Sequence, residues 1–256
     1  MDTRIDQSPR DAMTVPTEPE GRFTYRWVIL ATSLTVLVTS FARRLAWGNS
    51  GSAVAAELHI APPTMGAFVS AFFVGYSGAS FFGGFAVDRL GPKRAIRLAL
   101  LPLGSFTAVF GLIQTTWQGL ALQLLIGMSA GTGYAGTAKL LANWFVSKER
   151  GRAFGILGTA SSVAVTIANA IFPLVILQFT WRALYPLLGG VMALVLLLSL
   201  IVLRDSPTAA PRAPKRAGTF LITARILLTN RNFVLMAACG LGGLWGTWGF
   251  AFWVTP

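Results

Sequence analysis

The chain has 256 residues, of which 54% are hydrophobic and only 12% are charged, and its net charge is +12. Soluble domains carry about 25% charged residues, so this composition predicts a membrane protein. The single histidine, His59, and the single cysteine, Cys239, belong to no cluster with metal-ligand spacing, and the sequence contains no nucleophile or phosphate-loop motif. We therefore expect no enzyme, no cofactor, no metal site and no disulfide.

Seven apolar segments are long enough to cross a bilayer, which takes a helix of about 20 residues. These predicted spans cover residues 27–47, 64–87, 95–113, 118–141, 154–177, 183–203 and 233–255. The polar, proline-bearing N-terminus predicts a cytoplasmic tail over residues 1–26. A stretch rich in proline, alanine and basic residues predicts a cytoplasmic linker, 204–232, between a six-helix bundle (27–203) and part of a seventh helix (233–256).

Most of the 21 lysine and arginine residues fall on one predicted side of the membrane, in the tail, two short connections and the linker. This bias is the positive-inside pattern. It predicts a multi-pass protein of the bacterial inner membrane with a cytoplasmic N-terminus. Because the distribution accounts for the positive net charge as a topology signal, we expect no binding to nucleic acid.

The connection between the second and third spans reads Gly84-Phe-Ala-Val-Asp88-Arg89-Leu-Gly91-Pro92-Lys93-Arg94. This pattern, in this position, resembles the signature loop of the major facilitator superfamily of transporters. The resemblance implies twelve spans in two six-helix bundles, with the loop holding the bundles together on the inside. The residues expected to gate are Gly84, Asp88, Arg89, Gly91, Lys93 and Arg94. Asp88 is expected to accept hydrogen bonds from nearby basic groups. The alternative is that these basic groups only set the orientation of the protein in the membrane.

Three basic side chains lie inside the predicted spans: Arg43 and Arg44 in the first, and Lys139 in the fourth. A cation at the bilayer centre costs at least about 2.5 kcal/mol, so it usually faces a wet cavity or a partner. The spans contain no acidic residue, so we expect these cations to be unpaired and to attract an anion. Snorkelling to the headgroups is the alternative. Adjacent helical residues point about 100° apart, so Arg43 and Arg44 cannot both face one cavity squarely.

The first-span segment Phe41-Ala-Arg43-Arg44 resembles the anion:cation symporters, in which an aromatic residue, a small residue, an acid and an arginine often follow one another. Residues 127–144 resemble their fourth span, and residues 139–151 are similar to the organophosphate antiporters. The resemblance implies that Arg44 is a substrate-binding arginine, that Lys139 occupies a basic position, and that the substrate is a small organic anion. Arg43 and Asn169 complete the candidate substrate-binding set.

Three positions depart from these families. Arg43 and Ala130 stand where the symporters carry proton-bearing acids, which puts proton coupling in doubt. Gln123 stands where many facilitators have an arginine that pairs with the loop aspartate.

Small residues recur at helical spacing in three spans, and this pattern predicts close helix packing more than ligand binding. The stripes are Ala71, Gly75, Ala79 and Gly83 in the second span, Gly127, Gly131 and Ala135 in the fourth, and Gly151, Gly155 and Gly158 in the fifth. The fifth span continues with Ser161, Ser162, Thr166 and Asn169, and Pro173 is expected to kink it.

The favoured function is secondary active transport of a small solute, an organic anion by the resemblance, through alternating access. The alternatives are a transport-deficient membrane sensor of the same fold, or a drug or other small-molecule exporter. The fifth span lacks the motif of proton-driven drug antiporters. Drug export therefore ranks below transport of an organic anion. One bundle supplies one wall of a central site, so we expect a fragment whose partner is its missing C-terminal half. A half-size transporter that dimerises is the alternative.

Overall fold

The computed structural model describes residues 21–204 and 228–254. The chain divides into two compact units, Met1–Ala209 and Ala210–Pro256. The predicted tail therefore lies outside the described residues over 1–20, and the predicted linker lies outside them over 205–227.

The first unit is a helical bundle, and the second contributes one long helix. The helices of the first unit are α1 (Gly21–Leu58), α2 (Pro62–Leu90), α3 (Pro92–Phe110), α4 (Thr116–Ala130), α5 (Gly133–Trp144), α6 (Ser147–Gly158), α7 (Ala160–Gln178) and α8 (Trp181–Val202). The described residues of the second unit form α9 (Arg231–Val254). No strand occurs in the described ranges, and the predicted all-α fold is confirmed.

Four described helical segments are long and apolar enough to cross a membrane, judged by length and composition alone. They are Tyr25–Leu58, Pro62–Leu90, Ser147–Gln178 and Trp181–Val202. The third predicted span is α3, which has only 19 residues and begins with the charged sequence Pro92-Lys93-Arg94. Its first two turns carry three charges, Lys93, Arg94 and Arg97.

The fourth and fifth predicted spans are each interrupted. The fourth breaks between α4 and α5 at Gly131 and Thr132, in a stretch with two glycines that disfavour helix continuation. The fifth breaks at Thr159, whose hydroxyl donates to the carbonyl of Ile156 at 2.7 Å and so competes with the backbone ladder. Pro173, where a kink was expected, lies inside the continuous helix α7.

Glycines let α2 and α4 approach closely. A Cβ on Gly75 would lie 2.2 Å from the carbonyl oxygen of Leu124. A Cβ on Gly127 would lie 2.1 Å from the carbonyl oxygen of Phe72. The interpretation of these two stripes as helix-packing surfaces is therefore confirmed. The third stripe behaves differently, because Gly151, Gly155 and Gly158 have no heavy atom within 4 Å of the added Cβ among the described residues. The described residues supply no packing partner for this stripe, so the packing prediction for the fifth-span glycines stays untested.

Arginines join α3 to α8 at both ends of this helix pair. Near one end, Arg97 of α3 donates to the carbonyl oxygens of Ser199 and Leu200 at 2.9 and 3.0 Å. At the other end, Arg182 of α8 donates to those of Gly111 and Ile113 at 3.1 and 2.8 Å. The last carbonyls of a helix lack intrahelical partners and carry partial negative charge, so each arginine stabilises the end of the neighbouring helix.

Two apolar clusters fill the interior. Along α1, Ile29 and Leu37 belong to one cluster, whereas Ala46 and Trp47 belong to the other. Arg43 lies on α1 close to the place where one cluster gives way to the other. A buried cation at that position needs polar partners on neighbouring helices, because an unsatisfied buried charge is costly.

We expect Gly127→Ala to lower the free energy of unfolding by about 1–3 kcal/mol, because its Cβ would overlap the α2 backbone. Gly78→Ala is the matched control, since it lies on α2 with no heavy atom within 4 Å. That change should be neutral or stabilising by up to about 1 kcal/mol through helix propensity. Denaturant unfolding of the purified protein, followed by helical circular dichroism, measures both. Equal effects at the two positions would refute the close α2–α4 contact.

Candidate functional site

Arg43 points into the bundle and bonds to neutral side chains on two other helices. Its side chain is buried at 1% relative exposure. The Nε group donates to Oγ1 of Thr107 on α3 at 3.2 Å, and an Nη2 hydrogen is donated to Oε1 of Gln123 on α4 at 3.0 Å. Snorkelling, which the sequence left open for this residue, is therefore wrong for Arg43. From the sequence, no role was assigned to Thr107 or to this pairing of Gln123; a polar residue inside an apolar span was the available signal.

Aromatic rings complete the surroundings of Arg43. The guanidinium carbon lies 5.9 Å from the ring centre of Phe72 and 6.0 Å from those of Phe110 and Tyr185. Ring faces attract a cation through their quadrupoles, and this attraction is larger where water is excluded. No carboxylate pairs with Arg43 in the described part of the chain. Its charge is thus held by two neutral acceptors and three rings.

Arg44 points in a different direction and remains half-buried. Its guanidinium carbon lies 4.6 Å from the ring centre of Tyr76, and 5.4–5.7 Å from those of Phe41, Phe72 and Phe73. Among the described residues, no hydrogen-bond acceptor or carboxylate binds it. The rings therefore position the guanidinium plane while its N–H donors stay available to a ligand.

A polar contact joins α1 to α7. Nδ2 of Asn49 donates to Oδ1 of Asn169 at 3.4 Å, and Asn169 is exposed. Ser162 and Thr166 precede Asn169 at spacings that place all three on one face of α7, and both are exposed. The structure therefore groups Asn169 with Asn49, and no described contact links it to Arg43 or Arg44.

Lys139 is paired with Asp88. The Nζ group of Lys139 on α5 donates to Oδ1 of Asp88 near the end of α2, and both side chains are partly exposed. The expectation that Lys139 lacks a carboxylate partner is wrong, because folding brings a carboxylate from 51 residues earlier beside it. The expectation that Asp88 pairs with its neighbours in sequence is also wrong, since Arg89, Lys93 and Arg94 make no described contact with it.

The signature loop is a single residue between two helices, shorter than the predicted connection 88–94. Gly91 adopts φ 83° and ψ 155°, a conformation that favours glycine, and its N–H donates to the Val87 carbonyl at 3.0 Å. Pro92 then begins α3, where a missing N–H costs nothing. Gly84, one turn before Asp88, is exposed and has no heavy atom within 4 Å of an added Cβ.

Glu149 and Arg150 stabilise the same end of the bundle. Glu149 on α6 accepts two hydrogen bonds from Arg26 on α1, one of them at 3.1 Å. Arg150 donates to the carbonyl oxygens of Ala142 and Phe145 at 2.7 and 3.0 Å, at the end of α5. Glu149 thus joins α6 to α1, and Arg150 supports the end of α5.

Comparison with known proteins identifies the family. Residues 32–256 match the family model described as Major Facilitator Superfamily. The chain belongs to the major facilitator superfamily. The resemblance that the sequence suggested is confirmed, and the protein is a multi-pass membrane protein.

Relatives within the superfamily bear names that refer to organic acids or to sensing. The chain is 27% identical to the "Probable galactarate/D-glucarate transporter GarP" of Escherichia coli (strain K12), covering 78% of this chain and 46% of that protein. It is 29% identical to the protein of Bacillus subtilis (strain 168) named "Probable galactarate/D-glucarate transporter GudP", over 67% of this chain and 39% of that one. It is 26% identical to the "Membrane sensor protein UhpC" of Escherichia coli (strain K12), over 79% and 47%.

The fold is shared with a solved transporter, a bacterial homologue of the human lysosomal transporter Spinster in an inward-facing, unoccupied conformation. The TM-score is 0.64 at 14% identity, over 75% of this chain and 46% of that one. The chain spans about half the length of the curated relatives it matches.

We expect Gln123→Leu to destabilise the protein by about 1.5–3 kcal/mol, because it removes a hydrogen bond from a buried cation. Adding Arg43→Met removes the buried charge itself, so the double variant should be less destabilised than Gln123→Leu alone. Thermal unfolding of the purified proteins tests this order. A double variant that loses the sum of the two single effects would show that the two side chains act independently.

Proposed function

We propose that this chain forms part of a secondary active transporter that moves a small organic anion by alternating access. The observation that carries the proposal is the guanidinium of Arg44, which rests on four aromatic rings and has no anionic partner among the described residues. Membership of the superfamily supports transport, and the names of several relatives support an organic acid as substrate.

The chemistry of Arg44 favours a carboxylate. A guanidinium presents two parallel N–H donors, which match the two oxygens of a carboxylate. In a site shielded from water these bonds are stronger than in bulk solvent. Galactarate and D-glucarate, which the relatives' names give, carry carboxylates and hydroxyls. Asn49 and Asn169 offer amide donors and acceptors for such hydroxyls on the α1–α7 wall.

Arg43 has a supporting role in this proposal. Its bonds to Thr107 and Gln123 place a permanent positive charge inside the bundle, next to Arg44 in sequence. This charge raises the local positive potential that attracts an anion. Arg43 itself does not contact substrate.

The Asp88–Lys139 pair and Gly91 form the proposed gate. An exposed ion pair contributes only about 0–1 kcal/mol, so its formation and loss can bias a conformational change without endangering the fold. Gly91 permits the sharp turn that brings α2 and α3 together beside this pair. We propose that Gly84, Arg89, Lys93 and Arg94 take part on the same surface.

A membrane sensor of the same fold is the second candidate function, favoured by the similarity to UhpC over 79% of this chain. The same anion site would serve ligand detection. Export of cationic drugs fits less well, because Arg44 would repel a positive ligand. Binding with no movement of the ligand across the membrane distinguishes a sensor from a transporter.

We propose a bacterial inner-membrane location with the N-terminus in the cytoplasm. Arg26, Lys148 and Arg150 lie together at the end of the bundle that holds the signature loop, consistent with a cytoplasmic side. In a Cys239→Ser background, a cysteine at Ser147 should resist an impermeant thiol reagent in intact cells, whereas one at Trp117 should react. The reverse pattern would overturn the orientation.

We expect Arg44→Ala to weaken binding of radiolabelled galactarate by about 30-fold or more, because a buried charge pair loses one partner. Arg44→Lys should bind weakly, since an ammonium cannot supply two parallel bonds. Arg152→Ala is the matched control: it removes an exposed arginine whose guanidinium carbon lies 5.2 Å from the ring centre of Trp27. The assay is equilibrium binding by the full gene product in vesicles. Undiminished galactarate binding by Arg44→Ala would refute the assignment.

We expect Asp88→Asn and Lys139→Met to slow transport far more than they weaken binding, because each removes the ion pair at the gate. The exchanged pair, Asp88→Lys with Lys139→Asp, should recover part of the rate. Lys148→Met, an exposed lysine at the same end, serves as control. Uptake rates and substrate affinities of the full gene product give the two quantities. Equal loss of both, or loss of neither, would contradict a gating role.

A further inference from the structure

An apolar groove of about 340 Å³ opens on the surface of the first unit between α2, α3 and α4. Its walls carry almost no polar atoms apart from the hydroxyls of Ser129 and Thr132. The side chains that shape it are Ala86, Leu90, Leu98, Pro102, Phe106 and Met128. Leu98 and Met128 are more than half exposed, so the groove is open along its length.

Two exposed arginines, Arg89 and Arg94, lie at one end of this groove. Arg94 lies four residues before Leu98 on α3, which places both on one helix face, and Arg89 directly precedes Leu90 on α2. Both arginines are exposed, and neither makes a hydrogen bond, ion pair or ring contact with any described residue. The nearby charge of Asp88 is offset by Lys139. The end of the groove is therefore positive.

We propose that the groove binds an anionic phospholipid of the bilayer, with one acyl chain along the apolar walls and the phosphate between Arg89 and Arg94. The proposal rests on the membrane placement of the bundle and is independent of the substrate. Basic side chains at a membrane surface attract anionic headgroups, and a groove beside them adds burial of the chain.

The length of the groove fits one leaflet. From Arg94 to Phe106 the helix rises 1.5 Å per residue over twelve residues, about 18 Å. Half of a hydrocarbon core is about 15 Å. The apolar walls therefore extend from the headgroup level to about the bilayer midplane.

The volume favours a chain over a helix as the occupant. A helix with side chains has a diameter of about 10 Å, so 18 Å of it would fill about 1,400 Å³. The whole empty space of the groove, about 740 Å³, is only about half of this volume. A single acyl chain is much narrower and can lie within the walls.

Native mass spectrometry of the delipidated protein, titrated with phosphatidylglycerol and with phosphatidylcholine of identical chains, tests the proposal. The wild type should prefer phosphatidylglycerol. Arg89→Gln and Arg94→Gln should each weaken its binding about fivefold, the factor for one basic residue at a lipid surface. Arg94→Lys should keep most of the affinity. Lys148→Gln, which removes an exposed cation at the same end of the bundle, should change nothing.

A second pair of variants tests the apolar walls. Leu98→Trp should reduce binding of both lipids by obstructing the groove, whereas Leu197→Trp, on the exposed surface of α8, should not. Circular dichroism checks that each variant is folded. Equal binding of the two lipids by the wild type, arginine variants that match Lys148→Gln, or equal effects of the two tryptophans would each overturn the proposal.

Discussion

The buried guanidinium of Arg43 constrains the whole first unit. A charge in the interior of a membrane-embedded bundle must be satisfied by protein groups, since neither lipid nor the packed core offers an acceptor. Thr107 and Gln123 provide the acceptors from α3 and α4, and three aromatic rings surround the charge. These contacts fix the rotation of three helices about their axes. The close α2–α4 approach, made possible by Gly75 and Gly127, brings the Phe72 ring and Gln123 to this point.

Two adjacent arginines have separate roles because a helix turns about 100° per residue. Arg43 bonds to Thr107 and Gln123 inside the bundle, while Arg44 lies against aromatic residues of α1 and α2 and has no hydrogen-bond partner among the described residues. Arg43 stands where the family resemblance led us to expect an acid, and its partners are neutral.

The ends of the bundle rely on charges that act on helix termini. Arg97, Arg150 and Arg182 each donate to carbonyl groups at or near the end of a helix, and Arg26 binds Glu149 across the α1–α6 contact. The Asp88–Lys139 pair differs, because it is partly exposed and each member can find water when the pair opens. Arginine contacts thus join the helix ends, and the more exposed Asp88–Lys139 pair lies near the Gly91 turn.

Local composition was sufficient to predict most of the helical segments, the small-residue stripes of α2 and α4, and a turn at Gly91. Hydropathy, small-residue spacing and a glycine before proline are properties of neighbouring residues, so the sequence by itself determined these features. Which side chains pair with one another was decided only by the tertiary structure. Lys139 meets Asp88 across 51 residues, and Arg43 meets Thr107 and Gln123 across 64 and 80. Such pairs depend on how helices pack and rotate, which no local pattern encodes, and for that reason the sequence left Lys139 unpaired whereas the folded chain pairs it with Asp88.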